Sequence, residues 1–301
     1  MKKFNLFIFI YYSLILFIIF FSIFNFLILK DGYNNLSISK ETYDNCKIMI
    51  NDKYINSDDY EYCYELLSFE TPTSSSFYFF ESILTEGIMG VIFPYFVPFI
   101  VIFPLVFILS KLNSSKFVKM YTLRKTYKKF IKRIYLNAYK NIFIIPLFIV
   151  LLFVICMVIS KNLNPRADIH FMLLGNDLIN LYNSTFFYVI YILILILNMG
   201  IYTNIALFII SKNKNFLVTL IESYLSIYII WCVSEILLGI SFQKYFNIKA
   251  TYFSLLNIYR WRNTDNIMLY FIINTFWFIL TLVLSIYGFK NKEKYLIMCE
   301  K

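Results

Sequence analysis

Histidine, glycine and charged residues are scarce in this chain of 301 residues, and each shortage excludes a class of function. A metal centre with several imidazole ligands cannot be assembled from a single histidine, His170. A phosphate-binding P-loop needs a Gly-Lys step, and none of the seven glycines precedes a lysine. Only 15% of the residues are charged and 60% are hydrophobic, whereas soluble domains have about 25% charged residues. The composition predicts a membrane protein and excludes an ordinary cytoplasmic enzyme.

Ile, Phe, Tyr, Asn and Lys are abundant instead, with 34 Phe and 26 Tyr in the chain. This bias is typical of proteins from AT-rich genomes, so the aromatic content of 21% does not by itself indicate a site for aromatic ligands. It indicates a low-GC bacterium as the source. The expected location is therefore the bacterial cell membrane.

Six hydrophobic runs have the length of about 20 residues that a transmembrane helix needs. They occupy residues 4–29, 87–109, 141–160, 185–210, 216–240 and 268–288. The first run follows two lysines but is too long for the hydrophobic region of a signal peptide, so we interpret residues 1–30 as an uncleaved first span. The second span takes up 87–110, and spans three to six lie within 141–301. The sequence predicts an all-α, polytopic integral membrane protein with six transmembrane helices.

The distribution of charge predicts the orientation of these spans, because cytoplasmic loops carry an excess of Lys and Arg. With the N-terminus inside, 18 of the 28 basic residues fall in cytoplasmic segments and 14 of the 18 acidic residues fall outside. Both termini are therefore expected to be cytoplasmic. The long, acidic segment 31–86 becomes an extracellular loop.

The extracellular loop holds two cysteines, Cys46 and Cys63. An oxidising exterior permits a disulfide between them, which would stabilise the loop by about 3 kcal/mol. Two unpaired thiols are the alternative, and the sequence does not decide between the disulfide and the thiols.

The cytoplasmic segment 111–140 holds ten Lys and Arg residues and no acidic residue. Its apolar residues recur in steps of three and four, which places them on one face of a basic amphipathic helix leading into the third span. The members of this face are Met120, Leu123, Tyr127, Phe130, Ile131, Ile134 and Ala138. Charge alone would suit a helix bound to anionic lipids or one that docks a soluble partner. A nucleic-acid partner is not expected, because no recognisable binding module is present.

Within this segment, Arg124 is followed by Thr126 and Phe130, with Lys125, Lys128 and Lys129 around them. This pattern, with the six spans and the long first outer loop, resembles the six-helix permeases of ABC exporters of the lantibiotic and drug exporter type. The resemblance implies that residues 117–133 form a coupling segment for a separate cytoplasmic P-loop ATPase. Its contacts would be Arg124, Thr126, Tyr127 and Phe130. It further implies a homodimer or heterodimer of permeases that exports peptides or lipophilic compounds, and ATP used by the partner, with no cofactor on this chain.

Two acidic residues lie within the fifth span, Glu222 and Glu235. Ionised groups inside a membrane are costly, so such residues indicate function by default. Both are candidates for a translocation path. The following segment, 241–267, is apolar and aromatic but too interrupted for a full span, and it resembles the short outer helices that dip into the membrane in the exporter class.

No catalytic or metal-binding site is expected, because His170 stands beside Asp168 with no nucleophile placed near it by the sequence. The alternative to a permease is a bacteriocin-immunity or sensor membrane protein. Such a protein would bind a cationic peptide through the acidic loop 31–86.

Overall fold

The structure, a computed structural model, is helical in every regular element that it describes. The described residues are 40–50, 63–64, 76, 80, 83, 87–114, 118, 121–122, 126–160, 185–256 and 267–300. Nine α-helices fall within these ranges: α1 Lys40–Met49, α2 Gly87–Ser114, α3 Tyr127–Tyr139, α4 Ile144–Ser160, α5 Thr185–Ile210, α6 Phe216–Cys232, α7 Ile240–Phe246, α8 Ile267–Gly288 and α9 Lys292–Glu300. A 3-10 turn, Lys140–Phe143, joins α3 to α4, and a second one, Ala250–Phe253, follows α7. A π-helix, Val233–Gly239, joins α6 to α7.

Five helical segments are long and apolar enough to cross a membrane. They are Phe93–Asn113, Tyr127–Val158, Tyr188–Ile210, Phe216–Phe246 and Ile267–Gly288. They coincide with predicted spans two to six, and the predicted first span at 4–29 lies outside the described residues. These are the helices of a multi-pass membrane protein.

The fifth predicted span is longer than its hydropathy indicates. The helical run continues through the π-helix and α7 to Phe246, six residues beyond the predicted end at 240. Ser241, Gln243 and Lys244 lower the hydropathy there, but they do not interrupt the backbone hydrogen bonds. The run ends at Asn247, whose left-handed backbone (φ 55°) reverses the chain.

The periodicity predicts one continuous helix over the basic segment 111–140. The structure shows that this prediction is wrong. Helix α2 extends to Ser114, and Thr126 is extended (φ −63°, ψ 145°), so α3 starts only at Tyr127. From there α3, the 3-10 turn and α4 form a single run of 32 residues to Val158. The basic helix therefore continues directly into the third span, as expected.

The chain divides into two compact units, residues 1–89 with 151–184 and residues 90–150 with 185–301. In the first unit, a disulfide joins Cys46 of α1 to Cys63, with 5.1 Å between their Cα atoms. Phe80 and Phe153 meet edge-on in the same unit, with ring centroids 5.3 Å apart. The second unit holds α3, α5, α6 and α8 and the contacts described below.

Helices α5 and α8 pack closely because glycines stand at their contact. A Cβ atom at Gly200 would lie 2.5 Å from the ring of Phe278, and one at Gly288 would collide with the hydroxyl of Ser211. Small residues at a helix interface permit this close approach. The van der Waals contacts that result attract the helices inside a membrane, where the hydrophobic effect does not act between them. Buried polar side chains add to it, since Asn204 donates to Thr281 Oγ1 at 3.4 Å.

Replacing Gly200 by leucine is expected to separate α5 from α8, because the added side chain overlaps the Phe278 ring. Overpacking of this kind costs about 1–3 kcal/mol. The measurement is the midpoint of thermal unfolding of the chain in mild detergent. Val189→Leu is the matched control, since Val189 lies on the same helix and is 52% exposed. Equal midpoints for the two variants would contradict the proposed role of Gly200.

Candidate coupling helix and re-entrant segment

Helix α3 has two faces of opposite character. Lys128, Lys129, Lys132 and Arg133 are exposed, and none of them forms an ion pair with a residue that the structure describes. The helix therefore presents a cationic surface, defined here as the basic face.

The opposite face of α3 is buried within the protein. Phe130 is 2% exposed, Ile134 3% and Ala138 0%. These three residues therefore share one face, as the spacing of apolar residues in the sequence predicts. The Phe130 ring lies 5.4 Å from that of Tyr121 and 6.4 Å from that of Tyr295 in α9. This face is therefore covered by other parts of the same chain.

Three tyrosines, separated by about two turns and then one turn of α3, bind this helix to its neighbours. Tyr127 donates to the carbonyl oxygen of Phe289 at 3.0 Å. Tyr135 shares a hydrogen bond of 2.9 Å with Ser285 of α8, and Tyr139 donates to Asn204 Oδ1 of α5 at 2.6 Å. Directional bonds at three levels restrict sliding and rotation of α3, which packing alone would not do.

The C-terminal helix α9 joins this arrangement to the end of α2. Tyr295 is almost fully buried, and its hydroxyl donates to Asn113 Oδ1 at 2.6 Å. Burial is the main cause that raises the pKa of the Tyr295 phenol above its ordinary value. Its ring also contacts Phe289 at 5.2 Å. The ends of α2, α3, α8 and α9 thus form one packed cluster.

The predicted coupling residues occupy different positions relative to this cluster. Thr126 is exposed at the start of α3, Tyr127 is half-buried and Phe130 is buried, while Arg124 lies outside the described residues. Tyr127 and Phe130 hold α3 in place from the inside.

A second site is formed within the second unit by the chain that follows α7. Tyr252, Phe253, Ser254, Leu255 and Leu256 are all buried, although this stretch contains no α-helix. Residues 250–256 are called the re-entrant segment below. They belong to the predicted segment 241–267, whose residues 241–246 instead continue the fifth span in α7 and whose residues 257–266 lie outside the described part.

Side chains from three spans bind the backbone carbonyls of the re-entrant segment. The carbonyl of Leu255 accepts from Asn198 at 3.0 Å and from Tyr202 at 2.8 Å. The carbonyl of Ser254 accepts from Tyr270 at 2.8 Å. The carbonyl of Phe253 accepts from Ser234 at 2.6 Å. Asn198 is 12 residues from the end of α5, about 18 Å, so the segment reaches the middle of the span.

Gly239 lets the re-entrant segment approach the π-helix. A Cβ atom there would lie 2.9 Å from the carbonyl oxygen of Ala250, and backbone cannot move aside as a side chain can. The close approach brings Ser234 into hydrogen-bonding range of Phe253. The π-helix and the segment therefore form one packed unit.

The two predicted translocation residues lie in different environments. The carboxylate of Glu235, in the π-helix, accepts from the indole of Trp231, which also donates to Ser254 Oγ at 3.1 Å. Glu235 thus borders the re-entrant segment. Glu222 is exposed on the face of α6 that also holds Ile221 and Leu225. The structure does not bring the two carboxylates into one site.

Sequence analysis did not single out Tyr202, Tyr270 or Tyr295, each of which donates a hydrogen bond in these clusters. In a chain with 26 tyrosines, no local pattern distinguishes these three. No known protein family, no characterised protein and no solved structure matches this chain. The functional argument therefore depends on the geometry of the coupling helix and the re-entrant segment.

Replacing Tyr139 by phenylalanine is expected to destabilise the protein by about 1–3 kcal/mol, because the buried Asn204 side chain loses its hydrogen-bond donor. The midpoint of thermal unfolding in detergent measures the loss. Tyr287→Phe is the matched control, since Tyr287 is 69% exposed. If both variants unfold at the wild-type midpoint, the bond does not hold α3.

Gly239→Val is expected to displace the re-entrant segment, because a side chain cannot fit against the Ala250 carbonyl. The readout is maleimide labelling of Ser254→Cys in a chain whose three cysteines outside the disulfide, Cys156, Cys232 and Cys299, are replaced by alanine. Position 254 is fully buried, so it should label only when Gly239→Val is also present. Leu237→Val, at a residue 61% exposed in the same π-helix, should leave it protected.

Proposed function

We propose that this chain is the permease subunit of an ABC-type exporter, driven by a separate cytoplasmic ATPase that docks on the basic face of α3. The observation that carries the proposal is the way α3 is held. Its outer face is exposed and cationic, while its inner face contacts α5, α8 and α9. It also continues without a break into the third span.

This arrangement suits the transmission of movement. A partner that shifts α3 would act on α4 through the continuous helix, and on α5 and α8 through Tyr139 and Tyr135. Packed helices respond to such a displacement by small shear movements that change access to the spaces between them. Alternating access driven by the partner's nucleotide cycle is the proposed mechanism.

The charge of the basic face defines the kind of surface that it would meet. Exposed cations on α3 complement an acidic patch on a soluble protein and speed its association. The arrangement requires α3 to be cytoplasmic, with both termini on the same side. The Cys46–Cys63 disulfide supports the opposite, oxidising side for the loop 31–86.

The cargo is proposed to be a peptide or a lipophilic compound, moved by a homodimer or heterodimer of permeases. Glu235 is the proposed path residue, because its carboxylate borders the re-entrant segment near the middle of the spans. Glu222 would reach cargo or a second permease from the exposed face of α6.

The disulfide in the acidic loop favours a second candidate function, an immunity or sensor protein. A loop held by a disulfide can present its carboxylates to a cationic peptide without a large loss of conformational entropy. Such a protein would depend on residues 31–86 and would tolerate changes on the basic face of α3.

Reversing the charge of Lys128 and Lys132 to glutamate is expected to abolish association with a P-loop ATPase without unfolding the chain, because both residues are exposed. The measurement is the stoichiometry of ATPase that copurifies with the tagged chain from its native host in mild detergent. Lys212→Glu with Lys290→Glu is the control, since both lysines are exposed at the same end and change the net charge equally.

An ATPase retained by the Lys128/Lys132 variant would contradict the docking surface, and a wild-type preparation that contains no ATPase would contradict the permease. Phe130→Asp does not discriminate between the two functions. It would bury a charge against Tyr295 and Tyr121 and so unfold the cluster in either case.

A further inference from the structure

Helices α2 and α6 face each other in antiparallel directions and touch through aromatic rings. Tyr95 stacks on Tyr228 with centroids 6.0 Å apart, and Phe99 meets Tyr224 edge-on at 6.4 Å. One turn and two turns further along α2, Phe103 and Phe107 both contact Phe216, at 5.8 and 5.7 Å. The contact surface between the helices is here called the aromatic groove.

Two cavities lie along the aromatic groove. One, of about 410 Å³, lies between Phe96 and Phe99 of α2 and Ile221 and Leu225 of α6. The other, of about 560 Å³, lies at the end of α2 and is bordered by Phe107 and Phe216. Ile221 is 57% exposed and Phe96 48%, so the groove is open along the side of the helix pair.

The cavity at the end of α2 combines cationic and polar side chains with the rings of Phe107 and Phe216. It is lined by Lys111, in the last turn of α2, by Lys214 and by Ser110. Neither lysine forms an ion pair within the described part of the chain. The Ser110 hydroxyl is buried and bonds to no atom of the described residues, although a serine in a helix usually bonds its own backbone. An anion held between the lysines would also accept from this hydroxyl.

The distance from the cationic cavity to the apolar one corresponds to one leaflet of a membrane. From Lys111 to Phe99 the helix rises about 18 Å, while half of the hydrocarbon core is about 15 Å. We propose that the aromatic groove binds an anionic phospholipid, with the phosphate between Lys111 and Lys214 and an acyl chain along the groove to Phe99.

The combination of the two cavities identifies a lipid rather than a soluble anion. A free phosphate would use the lysines and Ser110 but would leave the apolar groove without an occupant. A zwitterionic lipid would fill the groove but would bring a positive choline group to two lysines. The site contains no residue of the basic face of α3. A result that contradicts the lipid site would therefore leave the proposed ATPase unaffected, and the reverse is also true.

The test is native mass spectrometry of the full-length chain in mild detergent, titrated with phosphatidylglycerol or with phosphatidylcholine. The chain is expected to bind one phosphatidylglycerol more tightly than phosphatidylcholine. Lys111→Gln with Lys214→Gln should weaken phosphatidylglycerol about 30-fold, given the usual contribution of two basic residues at a membrane surface. Replacing both lysines by arginine should restore binding. Ile221→Trp should weaken both lipids by filling the groove.

The control is Lys212→Gln with Lys290→Gln, two exposed lysines at the same end that do not line the cavity. It should bind phosphatidylglycerol like the wild type. An equal loss in this control would show attraction by net charge alone and overturn the site. Unchanged binding by the Lys111/Lys214 glutamine variant would also overturn it. So would full displacement of the lipid by millimolar inorganic phosphate, since that would identify a phosphate site without a role for the acyl chain.

Discussion

A backbone carbonyl that enters the hydrocarbon must find its hydrogen bonds within the protein, at a cost of several kcal/mol if it does not. Residues 252–256 are buried and not α-helical, and Leu255 lies beside Asn198 in the middle of α5, so this constraint applies to them. The placement of Asn198, Tyr202, Ser234 and Tyr270 follows from it, because each donates to a carbonyl of the segment. The π-helix and Gly239 follow as well, since they bring the chain close enough for these bonds.

A second set of hydrogen bonds from polar side chains holds α3 within the second unit. Tyr127, Tyr135 and Tyr139 turn a basic amphipathic helix, which could otherwise rest on the membrane surface, into a fixed part of the bundle. Tyrosine suits this role because its ring packs against apolar neighbours while its hydroxyl reaches a partner. The cationic side chains remain outside. The two clusters are joined through α5 and α8, which pack along Gly200 and Gly288.

Much of this architecture is predictable from local patterns, and the rest depends on contacts that are distant in the chain. Hydropathy predicts the five described spans, and the spacing of Phe130, Ile134 and Ala138 predicts the buried face of α3. The break at Thr126 escapes prediction, because the apolar period runs through it. The partners of Tyr127, Tyr135 and Tyr139 escape it too, since they lie 162, 150 and 65 residues away. For the same reason, the spacing places Phe130 on the apolar face of α3 but does not predict which part of the chain covers that face.

The re-entrant segment also limits the order in which the chain can be assembled during synthesis. Its carbonyls need Tyr270, which the ribosome adds after the segment itself, as well as Ser234 and Tyr202, which come before it. The carbonyls of Phe253 and Leu255 have their donors as soon as the segment is synthesised. The carbonyl of Ser254 gains its donor only when α8 has been added. The bonds of this segment are therefore completed in two stages of synthesis.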